Sequence, residues 1–487
     1  MDYLNPKKEY RHQVIMMVGY ACIAIAVAIA ALVLLYQAYG FGINKSGTVI
    51  QNSLAFFSSH PSPANIYVDG KLNKNQTNSR LVLPEGIYKI TLARDGYRDW
   101  QRTIELDGGQ VQHFDYPFLF PKQLQTKKIQ SYDTEPRLTT QSPDHRWLLV
   151  GQAGSDTSFD VYDLKNAPVQ QPETINLPAS VATKANSSES WKLGEWADDN
   201  RHVLLQHMYD GKLEYILLDR TSPDQSINLD TTLSAMPTKL TLNDKKYDKY
   251  YLYNQATGSL QTASLDTPDP KNYLEHVLAY QSYGSNTVLY ATDANAPAGK
   301  VLIKMLAGDT TYPIRSLSAG TTYLLDLTKY SSSLYVTAGS ASQNKVYIYK
   351  DPIGQLRARP KQALIPSQVL HVTNPTYLSF SNSAQFIVAE GGQQFGVYDI
   401  ENKKGYNYTT TQALDKPAEH ATWMDGNRLV YVSSGKLHIF DYDNTNQQTL
   451  TAASPDFLPA FSPDYKYVYD ISQTDVQQTA LRTPTDL

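Results

Sequence analysis

The sequence predicts an all-β chain: a small β-sandwich, then an eight-bladed β-propeller (seven blades being the alternative), carried on one N-terminal transmembrane helix. Three observations predict it. An uncharged apolar run spans Val14 to Tyr36, turn-punctuated alternating runs fill residues 50–117, and a loose repeat recurs eight times between residues 120 and 487. Tyr reaches 36 residues, and Tyr and Thr favour pleated, half-buried surfaces.

Bulk properties narrow the classes. A chain of 487 residues is long enough for roughly two to four domains. Hydrophobic residues make up 41% of it, ample for packed cores. With 43 basic against 47 acidic residues there is no basic footprint for nucleic acid. The single cysteine, Cys22, lies inside the apolar run, so the rest of the chain forms no disulfide with itself.

The run VIMMVGYACIAIAVAIAALVLLY is 23 residues long. As a helix it measures roughly 34 Å, enough to cross a hydrocarbon core of about 30 Å. It lacks the polar stripe of a soluble helix. Lys7, Lys8 and Arg11 precede it, and the next cation is Lys45. Residues 1–13 are therefore read as a cytoplasmic tail and the C-terminal domains as extracytoplasmic. Tyr36, Tyr39 and Phe41 would form an interfacial aromatic belt. A cleaved signal peptide would have a shorter apolar core and a small-x-small site; Leu35-Tyr36-Gln37-Ala38 is a poor one. Gly19-Tyr20-Ala21-Cys22 makes an equally poor lipoprotein signal, since the apolar run continues well past Cys22. Residues 37–49, rich in Gly, Asn and Ser, read as a linker.

Residues 50–117 are punctuated by Asp69-Gly70, Pro84-Glu85-Gly86, Asp95-Gly96 and Asp107-Gly108-Gly109, the spacing of successive antiparallel strands. Tyr88, Ile90 and Leu92 alternate with Lys89, Thr91 and Ala93, as in a sheet with one wet face. The motifs Ser59-x-Pro61, Ala64-x-Ile66-Tyr67-Val68-Asp69-Gly70, Leu83-Pro84-Glu85-Gly86-x-Tyr88-x-Ile90-x-Leu92 and Asp95-Gly96-Tyr97 with Trp100 together resemble a PEGA domain. That resemblance implies a non-catalytic β-sandwich of envelope proteins. The chain departs from it at Asn75–Arg80, where the family usually has a Gly-x-Thr-Pro-like turn. The glycines have turn geometry as their explanation and are assigned no binding role.

The repeat beyond residue 120 is a Ser-Pro-Asp-like turn, an apolar strand, a loop, and a second apolar strand ending near Asp. Ser142-Pro143-Asp144 leads to Trp147–Val150 and Phe159–Asp163; Asp198-Asp199-Asn200 leads to Val203–Leu205 and Tyr215–Asp219. Weaker copies pair Tyr250–Tyr253 with Leu260–Leu265, Thr287–Tyr290 with Val301–Lys304, and Leu334–Val336 with Val346–Tyr349. Sharper ones follow at Phe386–Val388 with Phe395–Asp399, at Leu429–Val432 with Leu437–Asp441, and at Phe461-Ser462-Pro463-Asp464 before Tyr467–Ile471. A spacing of roughly 40–55 residues is that of propeller blades, and unalternating apolar runs fit strands buried on both faces. Leu124–Ile129 is expected to complete the short last copy and close the ring, leaving no exposed edge. Two tandem sandwiches are the competing architecture. The Phe-Ser-Pro-Asp form resembles the WD40-like repeats of TolB-type propellers, with His145 and Tyr465 where glycine usually follows.

Chemistry is sparse. There is no His-Glu-x-x-His, P-loop, Gly-x-Ser-x-Gly or Cys-x-x-Cys. Ser342-x-x-Lys345 and Ser433-x-x-Lys436 match a Ser-x-x-Lys pattern, yet no Lys-Thr-Gly accompanies them and both fall in expected hairpin turns. His202 and His207, five apart on a strand, face opposite sides and cannot share an ion. Asp441-x-Asp443-Asn444 has hard-cation chemistry, against the ordinary use of Asp and Asn in turns. Tyr247 to Tyr253 offers a sugar platform, against Tyr filling blade interfaces. No catalytic or metal site is assigned, no cofactor is expected, and the binding residues are left open. The expectation is a bacterial envelope protein, single-pass in the cell membrane, that binds or scaffolds a protein or glycan. The rivals are an extracytoplasmic hydrolase or lyase at the channel mouth, and an accessory subunit of a membrane complex.

Overall fold

The computed structural model describes residues 6–38, 40–43, 47, 49–152, 157–166, 169, 171–360, 362–416 and 420–486. Residues 1–5 of the expected tail and Tyr39 of the expected aromatic belt lie outside them. The chain divides into two compact units, one of residues 1–123 with Thr483–Asp486 and one of Leu124–Arg482.

In the first unit a helix, Pro6–Ala38, contains a stretch, Lys8–Tyr36, long and apolar enough to cross a membrane. Every described side chain along that stretch is exposed. The expected linker 37–49 is corrected in part. The helix runs on to Ala38, and Phe41–Ile43 forms an edge strand antiparallel to Val49–Phe57. Phe41 stacks on Tyr36 with ring centroids 4.5 Å apart, and the Gly40 carbonyl accepts from Asn52 N–H. These contacts hold residues 40–43 in place; residues 44–46 and 48 of the expected linker lie outside the described residues.

Two four-stranded sheets face each other beyond it. One contains Phe41–Ile43, Val49–Phe57, Ser79–Pro84 and, in parallel, Val111–Phe114; the other orders Lys71–Gln76, Asn65–Val68, Gly86–Ala93 and Trp100–Leu106. Phe57, Ile66, Leu81, Ile90, Leu92 and Trp100 fill the space between them. The expected alternation holds: Ile90 and Leu92 are fully buried, Tyr88 packs on the same core, and Lys89 is exposed. Asp69 and Gly70 both have positive φ, the two-residue hairpin that Asp-Gly specifies. Where the chain departs from the family turn, buried Thr77 replaces it. Its hydroxyl accepts from Ala64 N–H and bonds Ser59 Oγ, each at 2.7 Å.

The second unit consists of eight four-stranded antiparallel sheets, the blades of a propeller. In sequence they span 138–176, 189–228, 239–274, 277–318, 323–371, 377–409, 422–452 and 460–480. Each of the eight repeats read from the sequence supplies the middle strands of one blade. Gln125–Ser131 pairs with Asp475–Ala480 as the outermost strand of blade 8. The first blade and the last are thereby joined through the N-terminal segment, which removes the free edge.

The apolar runs are explained by the stacking. In blade 2, Val203 and Leu205 pack with Leu149 and Phe159 of blade 1, whereas Leu204 packs with Tyr250 and Leu252 of blade 3. Alternate residues serve opposite interfaces, so all must be apolar. Each such side chain contributes about 1.5–3 kcal/mol on burial.

Candidate functional site

Naming the strands of a blade A to D from the channel outward, A runs from one end of the propeller to the other and B returns. The A–B and C–D connections therefore share one end, here called the turn end. The B–C and D–A connections share the opposite end. The two differ in chemistry.

The turn end is spent on the fold. In blade 1 Arg146 grips Asp163 at the end of strand C with two hydrogen bonds of 3.1 and 2.8 Å, and in blade 2 Arg201 grips Asp219 at 2.7 and 2.5 Å. Arg428 and Asp441 repeat the pair in blade 7 at 3.3 Å, and Gln385 and Asp399 occupy the same places in blade 6. The Arg146 guanidinium holds the Asp163 carboxyl below its usual range. Asp441 also accepts from Asn446, while Asp443 accepts from Thr445 at 2.7 Å. The Asp441–Asn444 motif is thus accounted for by its turn. His145 and Tyr465 stand at φ +59° and +53°, with Ala384 at +59°. The glycine of the related repeats is missing there, but its left-handed backbone is kept.

The remaining sequence candidates resolve in the same direction. Ser342 lies in the turn between Ser333–Ser340 and Lys345–Lys350, and Ser433 donates to the Ala413 carbonyl at 2.5 Å. His202 bonds Asp199 at 2.6 Å and stacks on Tyr247. His207 is sealed between Glu214 and Glu189, 2.7 and 2.8 Å from its ring nitrogens, and stacks on Trp191. Burial raises the Glu214 carboxyl, yet hydrogen bonds from His207, Thr183 and Asn228 outweigh it and hold it low. The sugar platform is overturned: Tyr250 and Tyr251 are fully buried and Tyr253 nearly so. Tyr251 and Tyr253 do share a face, but it is the one packed against Val277 and Val288 of blade 4.

At the opposite end the starts of the A strands of blades 3 to 6 enclose a cleft of about 360 Å³. Lys239, Tyr280, Tyr323 and Tyr377 line it, with Gln255 and Gln281. Lys239 opens Lys239–Leu242, Tyr323 opens Tyr323–Tyr330, Tyr377 opens Tyr377–Phe380, Tyr280 and Gln281 lie within Val277–Tyr283, and Gln255 follows Lys249–Asn254. The Lys239 ammonium lies 5.0 Å from the centre of the Tyr280 ring, whose hydroxyl bonds Thr241 at 2.9 Å. Lys239 is solvent-accessible yet hemmed in by protein, and that crowding lowers its pKa. The nearest acid, Glu195, accepts from Leu242 N–H and pairs with Lys245 instead. Tyr377 stacks on His420, which lines the adjoining hollow between blades 7 and 8.

Two carboxyls lie close to the cleft's inner wall. Burial pushes Asp326 up to about 6, although it accepts from the Leu327 and Phe380 amides. Burial likewise pushes Glu390, which accepts from Ala421 N–H, up to about 8. Of the cleft residues only Tyr253, at its edge, falls in a segment the sequence marks. The others are drawn from four blades, from position 239 to 378, and stand at strand starts, within Val277–Tyr283 or in the turn after Asn254, none of which carries a repeat signature.

The architecture defines a PEGA sandwich and an eight-bladed propeller behind a helix of membrane-spanning length and composition. The PEGA domain family matches residues 55–119. No curated protein matches the chain. Among solved structures, the Dos1 propeller aligns at 13% identity over 73% of this chain and 95% of its own, with a TM-score of 0.45. The computationally designed Ika8 protein aligns at 13% identity over 73% and 98%, with a TM-score of 0.43. Hsv2 of Kluyveromyces lactis aligns at 9% identity over 66% and 98%, with a TM-score of 0.40.

Proposed function

We propose that this chain is a non-enzymatic binding or scaffold protein of a bacterial cell envelope. The Pro6–Ala38 helix anchors it, with its N-terminus cytoplasmic and both β-units outside, and the cleft end of the propeller engages a protein or glycan. One observation carries this reading: at the cleft end the side chains of Lys239, Gln255, Gln281 and Thr376 are accessible and make no hydrogen bond among the described residues, whereas the turn end of blades 1, 2, 6 and 7 is tied by an Arg–Asp or Gln–Asp pair. A photo-crosslinker placed at Gln255 in the full-length, membrane-inserted protein tests it. The expected result is capture of an envelope component from Gln255 and none from a crosslinker at Lys466 on the turn end. Equal capture from both positions, or none from either, overturns it.

The raised carboxyls favour a second reading, a hydrolase or lyase at the channel mouth, because acids with shifted pKa values gather at reactive sites. Both carboxyls are already occupied by backbone N–H groups, which favours binding over catalysis. Turnover of an envelope polymer that is lost in Asp326→Asn would reverse that preference.

A further inference from the structure

We propose that the cleft end binds an acidic saccharide, with the sugar carboxylate seated on Lys239. This rests on the binding reading above and names its ligand class.

The ammonium is the first argument. Among the described residues Lys239 has no carboxylate within ion-pairing distance; the nearest acid, Glu195, is held by Lys245 and a backbone amide. Lys239 is exposed on its strand, so an arriving anion can reach the ammonium and need displace no carboxylate to pair with it. Of the two carboxyls behind the cleft, burial favours the neutral form of Glu390, whereas Asp326, pushed up to about 6, is mostly ionised at pH 7 and sets a limit on how deep the anion can sit.

The rest of the lining selects the class of anion. Gln255, Gln281 and Thr376 side chains make no hydrogen bond within the described protein. Three neutral donor–acceptor groups around one charge suit a ring bearing several hydroxyls and one carboxylate. Tyr323 and Tyr377 are partly accessible, with Leu278 and Leu325 beside them; they present apolar surface to the C–H face of a sugar while keeping polar tips. A volume of about 360 Å³ lies in the small-ligand range, roughly 300–1,000 Å³. A peptide would more naturally be read along one strand edge, but here the recognition groups are side chains from four separate blades.

The test is calorimetry on the full-length protein in detergent micelles. Three probes are compared: a glucuronate-containing disaccharide, the same disaccharide with its carboxyl reduced to the alcohol, and N-acetyl-alanyl-alanine. The expected result is binding of the uronate at least tenfold tighter than either other probe. Lys239→Gln is expected to remove that preference and Lys239→Arg to retain it, with both variants melting like the parent. Equal affinity for the reduced sugar, preference for the dipeptide, unchanged binding in Lys239→Gln, or no uronate binding each overturns the proposal. The crosslink from Gln255 separates the two levels. Capture there without uronate preference sinks only the ligand class, and absence of both sinks the binding reading too.

Discussion

Asp470 lies in the second strand of blade 8 and is 5% exposed, and neither of its carboxylate oxygens has a hydrogen-bond partner among the described residues. Burial alone pushes it from 3.8 to about 8. The folded protein therefore carries this group protonated across a range in which the unfolded chain has it ionised. Stability from the group is full below about pH 4 and is lost as pH rises towards 8, at about 1.4 kcal/mol per pH unit. Between pH 5 and pH 7 the loss is about 2.7 kcal/mol as an upper figure. Asp470→Asn keeps the shape of the neutral acid but does not titrate. Whatever the amide costs by being buried is the same at both pH values, so the difference between them isolates the proton. For a unit of this size, about 2.7 kcal/mol is an apparent melting shift of about 4 °C. The assay is thermal unfolding of parent and variant at pH 5 and pH 7. The expected outcome is that the variant gains on the parent by several degrees from the lower pH to the higher. A gap that is the same at both pH values would show that Asp470 finds a partner or solvent, and would refute the reasoning.

Three further outcomes are expected. Arg428→Ala leaves the buried Asp441 without its guanidinium and is expected to cost about 3–5 kcal/mol, measured by denaturant unfolding. Ala384→Gly relieves a left-handed residue at φ +59° and is expected to gain about 1 kcal/mol, read as a raised midpoint. Removal of residues 1–38 is expected to move the protein from the carbonate-washed membrane fraction to the soluble one; persistence in the membrane would refute the anchor.

The propeller was legible because its physics is repeated. Strands buried on both faces must be apolar throughout, so Leu204 and its neighbours stand out wherever a B or C strand passes. Even the faint copies, such as Leu334–Val336 with Val346–Tyr349, build blades of the same four strands as the clear ones. The A and D strands were far less legible. Thr422–Trp423 and Ala460–Phe461 are two residues long, and Lys404–Thr409 alternates between half-buried and exposed at the rim. Strands this short or this wet leave little pattern. The platform at Tyr247–Tyr253 misled for a related reason: an aromatic cluster has the same composition whether it faces solvent or the next blade.

The cleft was invisible for a deeper reason, and it yields a final prediction. A repeat signature records what blades share, which is the turn that ends strand A and, in blades 1, 2, 6 and 7, the pair that ties strand B to strand C. Those needs sit at the turn end, in Arg146 with Asp163 and Arg201 with Asp219. At the opposite end the blades differ more, and there the A strands of blades 3 and 4 open with Lys239 and Val277 while those of blades 5 and 6 open with Tyr323 and Tyr377. If that difference means those positions serve a ligand and not the fold, they are separable from stability. A combined Gln255→Ala, Gln281→Ala and Thr376→Ala variant removes three side chains that make no hydrogen bond among the described residues. Each substitution is expected to stay within about 0.5 kcal/mol of the parent, as surface changes do. Arg201→Ala, which leaves the buried Asp219 carboxylate without its cation and with only the Thr221 and Ser222 donors, is expected to cost several times more. Denaturant unfolding of the two variants decides the matter, because a triple variant as unstable as Arg201→Ala would mean that the cleft residues hold the blades together and that the functional surface lies elsewhere.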